Sequence, residues 1–267
     1  MEERMGLMTV TNRDVRAVRA PLVIGVTGHR DLLAEDLEPL ENKVRESLRS
    51  LQTQYPSTPI ILLSPLAEGA DRLAARVALE IGARLIVPLP MARSEYEQDF
   101  KSGESLEEFH RLLEQAEHRF EVPLPARPRE GARAGTARDR QYEEVGKYIA
   151  RESQILLALW NGIPSGKVGG TAEIVGFQLR GAPDRPDCDL QPLELFPVYR
   201  IVTRRRSSPA LQGPLFELVK EYPEGFGSVQ EAEGYYDKIF RNLDDFNRAI
   251  LTRSDRQPSG NCWVGTL

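Results

Sequence analysis

Gln154-Ile155-Leu156-Leu157-Ala158-Leu159-Trp160 runs into Asn161-Gly162, and then Gly169-Gly170-Thr171-Ala172-Glu173-Ile174-Val175 follows. The first run is continuously apolar and of strand length, the last reads as the opening of a helix, and glycines join them. Paired glycines let a backbone approach a ligand closely, and the amides at a helix N-terminus favour an anion. This is not the dinucleotide pattern G-x-G-x-x-G. Two readings are open: a phosphate-binding turn, or a plain helix start with Thr171 as N-cap and Glu173 as a dipole-favourable first-turn residue.

Two upstream junctions have the same form. Residues 21–28, Pro-Leu-Val-Ile-Gly-Val-Thr-Gly, read as a buried strand ending in a tight turn. Residues 35–51 then carry apolar side chains at 37, 40, 44, 48 and 51, a helical spacing. Residues 60–63 read as a second strand with Ser64-Pro65-Leu66-Ala67-Glu68-Gly69 as its exit. A helix with Leu73, Val77 and Ile81 on one face stops at Gly82, and residues 84–89 form a third strand. These strands are apolar without alternation, as in a parallel sheet covered by helices. The expected fold is therefore α/β: a Rossmann-like, doubly wound, mainly parallel sheet with helices on both faces.

Further along, residues 106–120 read as a helix, 120–124 as a short strand, and 127–140 as a loop holding five arginines. Residues 141–152 read as the helix that feeds the strand at 154–160. Residues 193–202 read as a last, edge strand because Pro197 lies inside them. From Arg204 the chain reads as a linker, followed by a C-terminal helical extension at 228–251. Ser228 and Glu231 would cap that helix, and Val229, Ala232, Tyr236, Ile239, Leu243, Phe246 and Ile250 would form its apolar face. The division expected is a tail at 1–20, the nucleotide-binding domain at 21–203, and the linker with its helix at 204–267.

Composition narrows the function. The 267 residues are 40% hydrophobic with a net charge of -5, so no overall basic field argues for nucleic acid or an anionic membrane. Cys188 and Cys262 are too few for a disulfide framework or a zinc site. Met1 to Arg19 is charged, and no apolar run nears the ~20 residues of a membrane span. A cytoplasmic setting is expected, with no metal and no cofactor.

In such a sheet, ligands bind at the carboxyl ends of the strands. Gly25, Thr27, Gly28, His29 and Arg30 are the first candidates; His29 and Arg30 would donate to a phosphate, or Arg30 would simply pair with a surface carboxylate. Glu68, Gly69 and Asp71 are the second set, with either carboxylate suited to ribose hydroxyls. Gly169, Gly170 and Thr171 are the third. Arg140 and Tyr142, where the arginine-rich loop becomes helix, are placed to contact an anion. His110 and His118 read as surface residues of a polar helix.

Taken together, the three loops resemble the SLOG superfamily, which unites the DNA-processing A (Smf) proteins with the Lonely Guy phosphoribohydrolases. Residues 64–75, Ser-Pro-Leu-Ala-Glu-Gly-Ala-Asp-Arg-Leu-Ala-Ala, followed by Arg84-Leu-Ile-Val-Pro-Leu-Pro90, are similar to the DNA-processing version. Gly169-Gly170-Thr171-Ala172-Glu173 resembles the Lonely Guy motif Pro-Gly-Gly-x-Gly-Thr-x-x-Glu. It departs from that motif twice. Lys167 and Val168 stand where the first glycine pair would be, and Glu173 lies two residues after Thr171 rather than three, about 100° away around a helix. Binding therefore carries over better than catalysis.

The resemblance implies a sensor domain for a nucleotide-derived small molecule, in a homo-oligomer. The C-terminal helix would connect to an effector or membrane module, and DNA is not the expected partner. The alternative it implies is a nucleoside-monophosphate phosphoribohydrolase with Glu173 and Arg140 as catalytic residues, and the second alternative is DNA-processing-type nucleic-acid binding.

Overall fold

The computed structural model describes residues 19–100, 102–123, 137–182, 194–208 and 210–254. Of the stretch 127–140 expected as an arginine-rich loop, residues 127–136 lie outside these residues, as do both cysteines, while 137–140 prove to be the start of a helix, Ala137–Glu152, that was expected only from 141.

The central feature is a seven-stranded sheet in the order β4-β3-β2-β1-β5-β6-β7. Its strands are β1 (Leu22–Gly28), β2 (Ile60–Leu63), β3 (Arg84–Leu89), β4 (His118–Glu121), β5 (Ile155–Trp160), β6 (Val198–Val202) and β7 (Leu218–Glu221). All neighbours pair in parallel except β6 and β7. The helices are α1 (Leu37–Gln54), α2 (Ala70–Glu80), α3 (Arg93–Tyr96), α4 (Gly103–Gln115), α5 (Ala137–Glu152), α6 (Thr171–Arg180) and α7 (Val229–Ser254).

The chain steps outward from β1 to β4, then crosses back to β5 on the other side of β1. Right-handed crossovers put the helices of these two excursions on opposite faces of the sheet. Leu40, Val44 and Leu48 of α1, Leu73 and Val77 of α2, and Phe109 and Leu113 of α4 join one buried cluster. Val145 and Ile149 of α5 and Ile174 and Val175 of α6 join another on the opposite face. Among the described residues α5 and α6 cover only part of their face. A groove of about 520 Å³ is left over β2 to β4, lined by Ile61, Leu63, Ile86 and Phe120.

Local chemistry sets the element ends. Gly82, at φ +79°, terminates α2 in a Schellman turn. Its amide donates to the Leu79 carbonyl at 3.1 Å, and that of Ala83 to the Ala78 carbonyl at 2.9 Å. At α4, Ser102 accepts the Ser105 amide at 3.1 Å.

Three local expectations are corrected. The helix expected to reach Phe120 stops at Gln115, and His118 stands on strand β4, whose four residues are all exposed at the sheet edge. The strand expected to span 193–202 begins only at Val198, after Pro197, so the proline removes no ladder donor. Nor is that strand an edge, because β7 pairs with it in antiparallel fashion.

The C-terminal helix exists, but its buried stripe is Ala232, Tyr236, Phe240, Asp244 and Asn247. Asp244 Oδ1 accepts the Ser57 amide at 2.7 Å and the Thr58 hydroxyl at 3.0 Å. Asn247 exchanges hydrogen bonds with both backbone groups of Ala20. These polar anchors rotate the helix so that Val229 and Phe246, expected on the buried face, are exposed.

Candidate functional site

β1 lies between β2 and β5, so the strand order reverses at β1 and the crevice outside the carboxyl ends of β1 and β5 is the topological switch point. The loops after β1, β2, β3 and β5 surround it.

The loops after β1 and β5 are locked to each other. The His29 amide donates to the Leu159 carbonyl at 3.0 Å, and the Asn161 amide donates to His29 Nε2 at 3.1 Å. His29 is therefore a buried acceptor, not the phosphate donor expected. Burial, then the charge of Arg205, holds its pKa down at about 4. The loops after β1 and β2 are joined as well. The Ala70 amide, first in α2, donates to the His29 carbonyl at 3.0 Å.

Several glycines serve this packing. A Cβ on Gly69, which has φ +79°, would collide with the His29 carbonyl and lie 2.6 Å from that of Arg30. One on Gly28 would lie 2.5 Å from Ala70 Cβ, and one on Gly25, well inside the strand, would run into Ser153, the residue after α5. Thr27 is buried in β1. These four residues close the floor of the crevice.

At the α6 end, Gly169 has φ +67° and packs on the Tyr142–Glu143 backbone of α5. Its amide donates to Glu173 Oε2 at 2.7 Å, and the Gly170 amide to the Lys167 carbonyl at 3.2 Å. Glu173 therefore braces its own loop, in the manner of a capping carboxylate. The Thr171 and Ala172 amides, in the first turn, have no acceptor among the described residues, which leaves two donors at a helix N-terminus.

Between these loops sits a polar cluster that sequence reasoning assembled only in part. The Arg30 guanidinium lies over the Tyr142 ring at 4.8 Å and 4.0 Å from Asp99 Oδ2. Asp99 Oδ1 accepts from Arg138 Nε at 3.0 Å, while Oδ2 is buried without a hydrogen-bond partner among the described residues. The hydroxyls of Tyr96, which is fully buried, and of Tyr142 also lack a hydrogen-bond partner among the described residues. Asp71 Oδ2 accepts the Ala67 amide at 3.2 Å. Burial pushes the Asp71 pKa up to about 7 against the opposing pull of Arg30. Burial also raises that of Tyr96, whose hydroxyl feels the charges of Arg30, Asp71 and Asp99.

Glu68 is not free for a ligand in the way expected, because its carboxylate accepts from the Ser105 hydroxyl. The Arg140 side chain has no hydrogen bond or ion pair to a described residue. Arg138, two residues earlier and about 200° around α5, is the arginine that joins the cluster. Tyr96 and Asp99 were missed by sequence reasoning, which stopped at three strand exits. Since β3 is parallel to its neighbours, its exit loop had to open at the same end of the sheet, and Tyr96-Glu97-Gln98-Asp99 lies in that loop. No group of residues suited to a metal ion occurs among the described residues. No described helix is long and apolar enough to cross a membrane.

No family model matches the chain, and no curated protein matches it. Among solved structures it is similar to DNA processing protein A from Streptococcus pneumoniae, at 15% identity and a TM-score of 0.34 over 55% of this chain and 43% of that one. It is also similar to the single-stranded-DNA-binding DNA processing protein A from Helicobacter pylori, at 10% identity and a TM-score of 0.39 over 91% of this chain and 85% of that one. The chain thus spans under half the length of the first.

Proposed function

We propose that this chain binds a nucleotide-derived ligand in the crevice at the switch point and acts as a sensor rather than a hydrolase. The observation that carries this reading is the meeting of unlike ligand groups in one place. Two unpaired amides at the α6 N-terminus and the half-exposed Arg30 suit a phosphate, while the unpartnered Tyr96, Tyr142 and Asp99 atoms suit the rest of such a molecule. Glu173 favours binding over hydrolysis, since its Oε2 is held by the Gly169 amide. Without a carboxylate directed at the glycosidic bond, the general acid–base work of a phosphoribohydrolase has no provider at that position.

Thermal shift against nucleoside monophosphates, ADP-ribose, cyclic nucleotides and a single-stranded oligodeoxynucleotide tests this, with chromatography of every mixture for released base. Stabilisation by an intact nucleotide supports the sensor, because a ligand that binds only the folded state stabilises by RT ln(1 + [L]/Kd). Released base would transfer the case to the hydrolase. Stabilisation by the oligonucleotide alone, weakening steeply with salt, would transfer it to nucleic-acid binding, a property stated of the Helicobacter pylori neighbour.

A further inference from the structure

We infer that the inner end of the crevice holds the vicinal diol of a ribose, with Asp99 Oδ2 accepting from one hydroxyl and the Tyr96 and Tyr142 hydroxyls meeting the diol oxygens. The inference rests on the nucleotide reading above and assigns the part of the ligand that the phosphate groups do not.

Three buried atoms without a hydrogen bond among the described residues define what fits. Asp99 Oδ2 only accepts, and each tyrosine hydroxyl both donates and accepts. A phosphate is mostly dianionic at neutral pH and would meet the Asp99 carboxylate as a like charge, which opposes it at this end. A guanine edge presents two parallel donors that want both oxygens of one carboxylate, and Asp99 has already committed Oδ1 to Arg138. A sugar hydroxyl gives one proton and takes one, which is the valence this pocket leaves open.

The surroundings strengthen such bonds. The Tyr96 ring packs against Phe100 at 5.0 Å, Phe109 at 5.7 Å and Tyr142 at 6.3 Å. This aromatic wall keeps water from the hydroxyls and lowers the local dielectric, where a polar group without a partner is costly and a hydrogen bond is strong. Arg30 lies over the Tyr142 ring of that wall, its guanidinium 4.0 Å from Asp99 Oδ2 and its side chain half-exposed. It is placed to meet a 5′-phosphate while Asp99 meets the sugar. Glu68, the other carboxylate expected to hold ribose, is already engaged by Ser105.

The test is isothermal titration with AMP, GMP, ribose 5-phosphate and 2′,3′-dideoxy-AMP, on the natural chain and on Asp99→Asn and Tyr96→Phe. Tyr96→Phe keeps the ring packing, and thermal melts check that both variants fold. The expected result is that AMP, GMP and ribose 5-phosphate all bind, and that 2′,3′-dideoxy-AMP binds about 10- to 100-fold more weakly than AMP, the range for hydrogen bonds to a charged group. Asp99→Asn should shrink that difference to within about threefold, and Tyr96→Phe should reduce it in part. Equal binding of AMP and its dideoxy analogue, or discrimination that persists in both variants, overturns the ribose assignment and leaves the nucleotide reading standing. Failure of every nucleotide and of ribose 5-phosphate to bind overturns both.

Discussion

The backbone amide of Asn161 donates to His29 Nε2 at 3.1 Å, so the loops leaving β5 and β1 are joined through a ring nitrogen that must stay unprotonated. Protonating His29 would break this bond and place a cation beside Arg205 inside the crevice floor. The crevice thus contains two buried groups with opposite pH responses, His29 depressed to about 4 and Asp71 raised to about 7.

The signs are separable. His29 contributes stability that is present above the pKa of unfolded histidine, about 6.5, and lost as pH falls through about 4. Asp71 contributes stability that is present below its unfolded value of about 3.9 and lost as pH rises through about 7. Relative to the natural chain, His29→Gln should gain stability as pH falls from 6.5 to 4. Asp71→Asn should gain as pH rises from 4 to 8. Each slope is at most about 1.4 kcal/mol per pH unit. Urea midpoints at pH 5, 6, 7 and 8 measure both, and profiles parallel to the natural chain would refute the assignments.

Glu173→Gln should cost about 1 kcal/mol of stability, because a capping carboxylate is replaced by a weaker acceptor of the Gly169 amide. Nucleotide affinity should change by less than about threefold, since the natural carboxylate faces its own loop. Denaturant melts and titration check the two halves. Loss of all binding with unchanged stability would mean that Glu173 touches the ligand.

Gly25→Ala should destabilise by about 1–3 kcal/mol through overpacking, since its methyl would run into Ser153 and lie 2.7 Å from Ile149 Cγ2. Combining it with Ser153→Gly should recover part of the loss, as expected for residues in contact. A neutral Gly25→Ala would show that α5 does not pack as described.

Asp244→Ala should cost about 3 kcal/mol, because the buried Ser57 amide and Thr58 hydroxyl both lose their acceptor. Urea unfolding provides the number. A cost below about 0.5 kcal/mol would mean that α7 is not anchored on the core through this residue.

How far the sequence could be read follows from which signals are local. β1, β2, β3 and β5 are continuous apolar runs closed by glycine or proline, so the sheet and its parallel character were legible. β4 was legible only in part, as the short strand expected at 120–124, because His-Arg-Phe-Glu is an exposed edge with no apolar run to mark it. β7 was obscured in the same way, its Leu218–Glu221 showing no more than partial burial. The rotation of α7 escaped periodicity because Asp244 and Asn247 occupy core-facing positions that a hydrophobic count gives to solvent. In the crevice, glycine spacing located the loops, but not which glycines meet a ligand and which merely clear a neighbour. Arg138 was confused with Arg140 because the start of α5 fixes which of the two faces Asp99.

Hydrogen–deuterium exchange with millimolar ADP-ribose tests most directly whether the crevice is the binding site. The account predicts protection confined to residues 28–31, 66–72, 93–100 and 169–173, lost in Arg30→Ala. Absence of protection in these segments, or protection only along the β2–β4 groove lined by Ile61, Leu63, Ile86 and Phe120, would contradict it.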